Sequence, residues 1–116
     1  MIRVRLRFTG RVQGVGFRYF AQMNAAQFHV TGWVKNMYDG SVTAEAQGTK
    51  KQIEDFIESM KHGHRFMRID HVTAEECPLC EGEKDFKVSI KIPKKKMLFH
   101  VKTLSVSFVL LNILSS

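Results

Sequence analysis

The feature that most constrains the fold of this chain is a change of hydrophobic period across the glycine-rich stretch of residues 10–18. Over residues 2–8, apolar side chains alternate with arginines, and an alternation of period two predicts a strand with one buried face. From Phe17 to Phe28, apolar side chains return with helical spacing along one stripe. The chain is therefore expected to run from a strand, through a glycine-rich turn, into a helix.

The following residues repeat these two patterns. In chain order they are strands over 30–35 and 41–48, a helix over 50–61, a weaker strand over 68–76 and a clear strand over 86–92. Asp39-Gly40, between the first two of these strands, is a strong hairpin signal. The order predicts an α+β fold of the split βαβ type, βαββαβ, with two helices on one face of a mainly antiparallel sheet. The first strand is expected to lie centrally in that sheet.

The length of 116 residues predicts one domain, which we place at residues 1–93. Residues 94–116 form a C-terminal extension of different character. Three lysines precede residues 97–114, and 12 of those 18 residues are apolar. Three interpretations stay open for the extension, namely an additional packed element, a poorly ordered segment, or a contact with a membrane surface. We assign it no function.

The net charge of +7 suggests a nucleic-acid partner, but its distribution weakens that interpretation. Residues 1–93 carry 14 Lys and Arg against 11 Asp and Glu, and residues 94–116 carry four lysines and no acid. The modest excess in the body suits a small anionic ligand as well as it suits RNA. The row of Arg3, Arg5 and Arg7 has the same ambiguity. We interpret it as a solvated sheet face and expect no nucleic-acid partner.

Cys77 and Cys80 form a single C-x-x-C pair in an acidic, turn-prone run. A structural zinc site normally has more ligands than this, and the positions of His71 and His100 give no support for a second half-site. We therefore interpret the cysteines as an ordinary loop pair and expect no metal and no cofactor. The charged alternation of residues 1–7 is unlike a signal peptide, and no run of about 18 apolar residues is present. The expected location is the cytoplasm.

The glycine-rich stretch carries the strongest chemical signal. Backbone N–H groups in a turn between a strand and a helix, together with the helix N-terminus, form a common phosphate-binding arrangement. Arg18 adds a planar guanidinium that matches two phosphate oxygens. The stretch is not a Walker A loop, and the spacing of Gly10, Gly14 and Gly16 does not fit a dinucleotide fingerprint. A purely structural turn is the alternative.

Asn36, at the end of the second strand, is the best candidate to act beside this loop. The first helix connects the first two strands, so the end of the second strand can lie close to the loop. A carboxamide is not a general base, but it accepts and donates hydrogen bonds and can therefore orient a water molecule. Such limited chemistry suffices for a phosphate that is already activated, as in an acyl phosphate. The alternative is that Asn36 serves only the turn that follows it.

Together, these motifs closely resemble the two signatures of the acylphosphatase family. The matching segments are Gly10-Arg11-Val12-Gln13-Gly14-Val15-Gly16-Phe17-Arg18, Gly32-Trp33-Val34-Lys35-Asn36 and Asp39-Gly40-Ser41-Val42, with Ala46 and Gly48. The resemblance covers residues 2–92. It implies a ferredoxin-like sandwich that hydrolyses carboxyl–phosphate bonds without a metal. It also implies that Arg18 binds the phosphate, that Asn36 orients the water, and that the backbone of residues 10–16 is the phosphate cradle.

The resemblance further implies a small-molecule acyl phosphate as substrate and inorganic phosphate as product. The extension and the cysteine pair depart from the family pattern, but neither touches the two signatures. We expect a monomer, with association through the extension left open. The alternative function is a non-catalytic module that binds RNA or a protein partner. The same domain resembles the N-terminal part of a much longer hydrogenase-maturation protein that uses carbamoyl phosphate, and RNA-binding domains of similar plan carry paired aromatic residues that this sequence lacks.

Overall fold

The computed structural model describes residues 1–89. Seven elements follow one another in this range: β1 (Ile2–Arg11), α1 (Phe17–Phe28), β2 (Thr31–Asn36), β3 (Val42–Gly48), α2 (Lys50–His62), β4 (Arg68–Cys77) and β5 (Phe86–Ser89). The end of the last predicted strand and the whole C-terminal extension lie outside the described residues. The helix predicted from Phe17 to Phe28 has those bounds in the structure, because its apolar stripe begins and ends there.

The five strands form one sheet in the order β4-β1-β3-β2-β5. Three of the four neighbouring pairs are antiparallel, and only β2 and β5 run parallel. The predicted fold class, a mainly antiparallel sheet with the βαββαβ order, is therefore confirmed. The first strand is an interior strand, but β3 occupies the middle of the sheet. The reason is that β5 adds a further strand beyond β2, while the weaker-patterned β4 completes the βαββαβ plan on the other edge.

The hydrophobic core lies between the sheet and the two helices. Alternate side chains of β1 and β3 are fully buried, namely Val4, Leu6, Phe8, Val42, Ala44 and Ala46. The helices contribute Phe17, Ala21 and Ala25 from α1 and Ile53, Phe56, Ile57 and Met60 from α2. The period-two and helical patterns of the sequence therefore predicted which residues of the strands and helices are buried in the core.

Strand β1 continues to Arg11 and therefore includes Gly10 and Arg11, the first two residues of the expected glycine-rich loop. After an irregularity at Thr9 and Gly10, Gly10 lies opposite Ile69 and Arg11 opposite Arg68. Gly10 has a φ of 125°, and a Cβ atom there would lie 2.1 Å from the carbonyl oxygen of Arg68. The absence of a side chain at Gly10 thus permits the close approach of β4. The loop between β1 and α1 is confined to residues 12–16.

The face of the sheet opposite the helices carries a cluster of ion pairs around Arg3. Arg3 Nε donates to Glu45 Oε1 at 2.7 Å, and Arg3 Nη1 donates to Glu83 Oε1 at 2.7 Å. Arg3 Nη1 also donates to Gln47 Oε1 at 3.1 Å, and Arg5 Nη2 donates to Glu45 Oε2 at 2.6 Å. We call Arg3, Arg5, Glu45, Gln47 and Glu83 the Arg3 cluster.

The expectation of a solvated row of arginines is wrong for Arg3, which is only 3% exposed. The physical reason is that Glu83, in the loop between β4 and β5, and Glu45 on β3 together surround its guanidinium. Arg7, at the other end of the row, pairs with Asp39 at 2.9 Å. All three arginines are therefore neutralised by carboxylates of the same chain.

Candidate active site

The loop of residues 12–16 leads into α1 without any side-chain cap. Gly16 is the N-cap residue and has a left-handed φ of 81°. The first backbone hydrogen bond of the helix is donated by Phe20 N to Gly16 O at 3.0 Å, so the three preceding helical N–H groups have no partner within the helix. Within residues 1–89, the N–H groups of the loop residues 12–16 make no backbone hydrogen bond either. This region therefore offers several backbone donors to an acceptor from outside.

At the N-terminus of the second helix, by contrast, side chains accept the hydrogen bonds of the free backbone donors. The Thr49 side chain accepts a hydrogen bond from Gln52 N at 3.1 Å, and the Gln52 side chain accepts one from Thr49 N at 2.8 Å. This capping box occupies two of the donors at the start of α2. The start of α1 has no such arrangement, so it retains its donors and the positive end of its dipole for an anion.

Arg18 and Asn36 line one cavity of about 400 Å³. Its polar lining consists of Gly14, Gly16, Arg18, Gln22 and Asn36, and its apolar lining consists of Val12, Phe17, Tyr19 and Val88. Of the seven expected cradle residues, Val12, Gly14 and Gly16 line the cavity, whereas Gly10, Arg11, Gln13 and Val15 do not. Gly10 and Arg11 belong to β1, and Val15 packs against the core. The structure thus brings the two predicted catalytic residues together around a shorter loop.

Among the described residues that line this cavity, Arg18 is the one with a charged side chain. It stands in the first turn of α1 and is partly buried. Residues 1–89 provide no carboxylate within ion-pair distance of it. Its positive charge is therefore available to an anion, and its planar fork can donate two hydrogen bonds to one phosphate group.

Asn36 is the last residue of β2 and lies opposite Val42 of β3. Its Oδ1 atom is buried, and no hydrogen-bond donor in residues 1–89 reaches it. Asn36 lines the cavity, and a carboxamide both accepts and donates hydrogen bonds, so this side chain can orient a water molecule there.

Gln13 connects the loop to the turn that follows Asn36. Its Nε2 atom donates to the carbonyl oxygen of Met37 at 2.7 Å and to that of Ser41 at 2.8 Å. Both amide hydrogens of Gln13 are thus used to hold the β2–β3 turn against the loop. Only the backbone of Gln13 was expected to contribute to the site, because no local pattern reveals a contact between a side chain and the backbone of a separate loop.

Tyr19, Gln22 and Val88 also line the cavity and were missed by the sequence analysis. Gln22 Nε2 donates to the carbonyl oxygen of Phe86 at 3.0 Å, which ties α1 to β5. Gln22 follows Arg18 by one helical turn, so the helical period was a usable signal for it. Val88 lies opposite Val34 in the parallel pair of β5 and β2, a pairing of distant segments that no local pattern indicates.

The two cysteines lie away from this cavity. Both are free thiols, Cys77 half-buried at the end of β4 and Cys80 exposed in the following loop. Burial raises the pKa of the Cys77 thiol to about 12, so this sulfur is a poor nucleophile near neutral pH. Residues 1–89 contain no group of three or more His, Cys, Asp and Glu side chains placed to hold a metal ion.

None of the helices in residues 1–89 has the length and apolar character needed to cross a membrane.

Comparison with known proteins identifies the family to which this arrangement belongs. The family model for acylphosphatase matches residues 4–88. An acylphosphatase of Clostridium acetobutylicum is 43% identical over 88 residues, which cover 76% of this chain and 97% of the relative.

The crystal structure of acylphosphatase from Bacillus subtilis is 39% identical to this chain, superposes with a TM-score of 0.73, and is matched over 77% of this chain and 99% of its own. The structure of HypF from T. kodakarensis is 29% identical with a TM-score of 0.70, but the match covers 80% of this chain and only 12% of HypF. The matches to the family model and to nearly full-length relatives show that this chain belongs to the acylphosphatase family.

Proposed function

We propose that this protein hydrolyses the carboxyl–phosphate bond of small acyl phosphates and releases a carboxylate and inorganic phosphate. The observation that carries the proposal is the content of one cavity. It contains an arginine with no carboxylate partner in residues 1–89, backbone donors without acceptors, and a buried amide oxygen without a donor. These groups are complementary to a phosphate and to a water molecule. Membership of the acylphosphatase family supports the same reaction.

The phosphate-binding role falls to the loop and to Arg18. Backbone N–H groups of residues 12–16 and of the first turn of α1 have no backbone acceptor within residues 1–89, so they are available to phosphate oxygens. The Arg18 guanidinium donates to the same group and neutralises its charge. Donors that are already in place stabilise the additional negative charge of the transition state without reorganising.

The water-orienting role falls to Asn36. Its carboxamide holds a water molecule by hydrogen bonds, and the oxygen of that water attacks the phosphorus in line with the leaving group. The bond from the water oxygen to phosphorus forms while the bond from phosphorus to the acyl oxygen breaks. The electron pair of the broken bond remains on the carboxylate, and the proton of the water passes to a phosphate oxygen or to solvent. A carboxylate leaves without protonation, so the reaction requires no general acid.

Hydrolysis of an aryl acyl phosphate, followed by ultraviolet absorbance in the presence of EDTA, tests the proposal. We expect activity in the wild-type protein and almost none in Arg18→Ala or Asn36→Ala, with the far-ultraviolet circular dichroism of both variants unchanged. Arg65→Ala is the matched control, because Arg65 is exposed and lies outside the cavity. Full activity in Asn36→Ala would refute the proposed role of that residue.

The non-catalytic alternative makes the opposite prediction for the same protein preparation. It predicts no hydrolysis of any acyl phosphate and an affinity for RNA that falls steeply with salt. Filter binding at low and moderate salt measures this directly. The structure offers little for that alternative, since Arg3, Arg5 and Arg7 are all paired with carboxylates.

A further inference from the structure

We propose that Asp39, together with Arg7, is a positioning residue for the reaction, because it fixes the turn between β2 and β3 and thereby the place of Asn36 in the cavity. The inference rests on the proposed function, since it concerns how the water-orienting residue is held. Among the described residues, neither Asp39 nor Arg7 lines the cavity. Both would therefore act through Asn36 and not on the substrate.

The turn between β2 and β3 begins directly after Asn36. The last pair of the β2–β3 ladder joins Asn36 to Val42. Beyond it, Met37 N donates to Ser41 O at 2.9 Å, so the ladder hydrogen bonding continues into the base of the turn. A displacement of the turn therefore moves the end of β2, where Asn36 stands.

Asp39 closes this turn through both of its carboxylate oxygens. Its Oδ1 atom accepts hydrogen bonds from Ser41 N at 2.9 Å and from Ser41 Oγ at 2.6 Å. Its Oδ2 atom accepts one from Arg7 Nη2 at 2.9 Å. Ser41 is only 3% exposed, so removal of the carboxylate leaves two buried donors without these partners. One carboxylate thus joins the tip of the turn to its end and to β1.

Arg7 anchors this carboxylate on the face of the sheet opposite the helices. It lies in register with a residue of β3 on one side and a residue of β4 on the other, so its backbone is held within the sheet. The side chain of Gln13 holds the same turn from the phosphate loop. The turn is therefore fixed from two directions, and the position of Asn36 is set relative to both β1 and the loop.

The exposure of the ion pair separates this role from a role in stability. The side chains of Arg7 and Asp39 are 49% and 57% exposed, and ion pairs with that much exposure contribute little to the free energy of unfolding. Reacting groups, by contrast, have to be held to within about 0.5 Å of their productive geometry. A looser turn should therefore affect the rate of the chemical step more than the stability of the fold.

Steady-state kinetics of Asp39→Ala with an aryl acyl phosphate test the inference. We expect kcat to fall about tenfold through poorer positioning of the water. The inhibition constant of inorganic phosphate should change by less than about twofold, because Arg18 and the loop are untouched. Asp39→Asn and Arg7→Ala remove the ion pair but keep the acceptor for Ser41, so their kcat should fall by only about threefold.

Asp70→Ala is the matched control for the loss of an exposed carboxylate. Asp70 forms a comparable pair with Arg68, in which Arg68 Nε lies 2.9 Å from Asp70 Oδ1, and it does not line the cavity. This variant should retain the kcat of the wild-type protein. An unchanged kcat in Asp39→Ala, or in both Asp39→Asn and Arg7→Ala, would overturn the inference.

The same substitution in the Asn36→Ala background shows whether Asp39 acts through Asn36. If it does, Asp39→Ala should lower the residual kcat of Asn36→Ala by less than about twofold, because the residue that it positions is already gone. A loss of about tenfold that persists in that background, or an equal loss of phosphate affinity, would also overturn the inference. These results leave the proposed function intact, whereas a wild-type protein without hydrolytic activity refutes the proposed function and the inference with it.

Discussion

Arg3 and Arg18 are the two arginines that this molecule places in the most different surroundings. Arg3 is 3% exposed and donates to two glutamates and one glutamine. Arg18 lines an open cavity and has no ion pair with any carboxylate of residues 1–89. The charge of Arg3 is therefore paired within the folded chain, whereas the charge of Arg18 remains available to an anion.

The difference extends to the groups around each arginine. In the Arg3 cluster, side-chain donors and acceptors are paired with one another, so the cost of burying charge is offset within the folded chain. Around Arg18, backbone donors and the Oδ1 atom of Asn36 have no such partners in the described residues. If a phosphate binds to these groups as proposed, it should stabilise the folded protein by mass action.

Replacing each arginine by alanine should separate the two roles and has the largest expected effects. Arg18→Ala should lower kcat/KM by about 10³-fold, because the positive charge that would stabilise the transition state is lost. The free energy of unfolding should be unchanged within about 0.5 kcal/mol. Arg3→Ala should lower the free energy of unfolding by about 3 kcal/mol, because Glu45 and Glu83 lose their buried partner, with kcat/KM of the folded protein unchanged. Urea unfolding and steady-state kinetics measure both. A loss of stability in Arg18→Ala as large as that in Arg3→Ala would break the comparison.

A second pair of substitutions tests the same division along the glycine-rich stretch. Gly10→Ala should lower the free energy of unfolding by about 2–3 kcal/mol, because its Cβ would lie 2.1 Å from the carbonyl oxygen of Arg68. Gly14→Ala meets no atom within 4 Å, and its positive φ should cost only about 1 kcal/mol. Its main effect should be weaker inhibition by phosphate. If Gly10→Ala weakens phosphate inhibition and leaves stability intact, Gly10 belongs to the cradle after all.

Gln13→Ala should have a smaller effect that combines both roles. The substitution removes the hydrogen bonds to Met37 O and Ser41 O, so the turn after Asn36 is no longer held against the loop. We expect kcat to fall about tenfold through poorer positioning of the water, with little change in the inhibition constant of phosphate. Gln13→Glu is an informative companion, because it keeps the length of the side chain but removes both donors. An unchanged kcat in both variants would show that the turn needs no such support.

The smallest predicted effect concerns the pH dependence of the Arg3 cluster. Burial alone would raise the pKa of Glu83, but hydrogen bonds from Arg3 and Thr31 and the charge of Arg3 outweigh it and lower the pKa. A carboxyl group whose pKa is lower in the folded state stabilises the fold above its unfolded pKa of about 4.3, and this contribution disappears as the pH falls through the folded pKa.

Thermal unfolding of wild-type protein and Glu83→Gln between pH 3 and pH 7 measures this effect. At pH 7 the variant should be less stable by about 1 kcal/mol, and the difference should shrink as the pH falls below about 4. Glu81→Gln is a matched control in the same loop, since Glu81 is exposed. A difference between wild type and Glu83→Gln that stays constant over this range would argue against the lowered pKa.

The elements themselves were largely predictable from the sequence, because local period decides which face of an isolated strand or helix is apolar. Phe17 to Phe28 has the predicted bounds, and Val4, Leu6 and Phe8 are buried as their alternation required. The proximity of Arg18 and Asn36 was also predictable, since Arg18 lies at the start of α1, the helix that connects β1 to the strand that ends at Asn36. Their catalytic roles stay predictions until the variants are measured.

The remaining features depend on contacts between distant segments and have no local signal. The length of β1 depends on β4, which holds Gly10 and Arg11 in the sheet. The burial of Arg3 depends on Glu83, which comes from the loop before β5. The contribution of Val88 to the cavity depends on the parallel pairing of β5 with β2. In each case the contact depends on the way the strands pair in the folded sheet, and the sequence around the residue does not indicate it.

The position of β1 between β3 and β4 also has a consequence for the kinetics of folding. Phe8 pairs with Val42 on one side and with Val72 on the other, so the first strand acquires its neighbours only when much later parts of the chain arrive. Folds dominated by such distant pairings close large loops before they gain contacts, and they fold more slowly than chains of similar length with local contacts. The loop that forms part of the cavity is attached to this strand. The cavity is therefore expected to become competent for binding only once these distant pairings have formed.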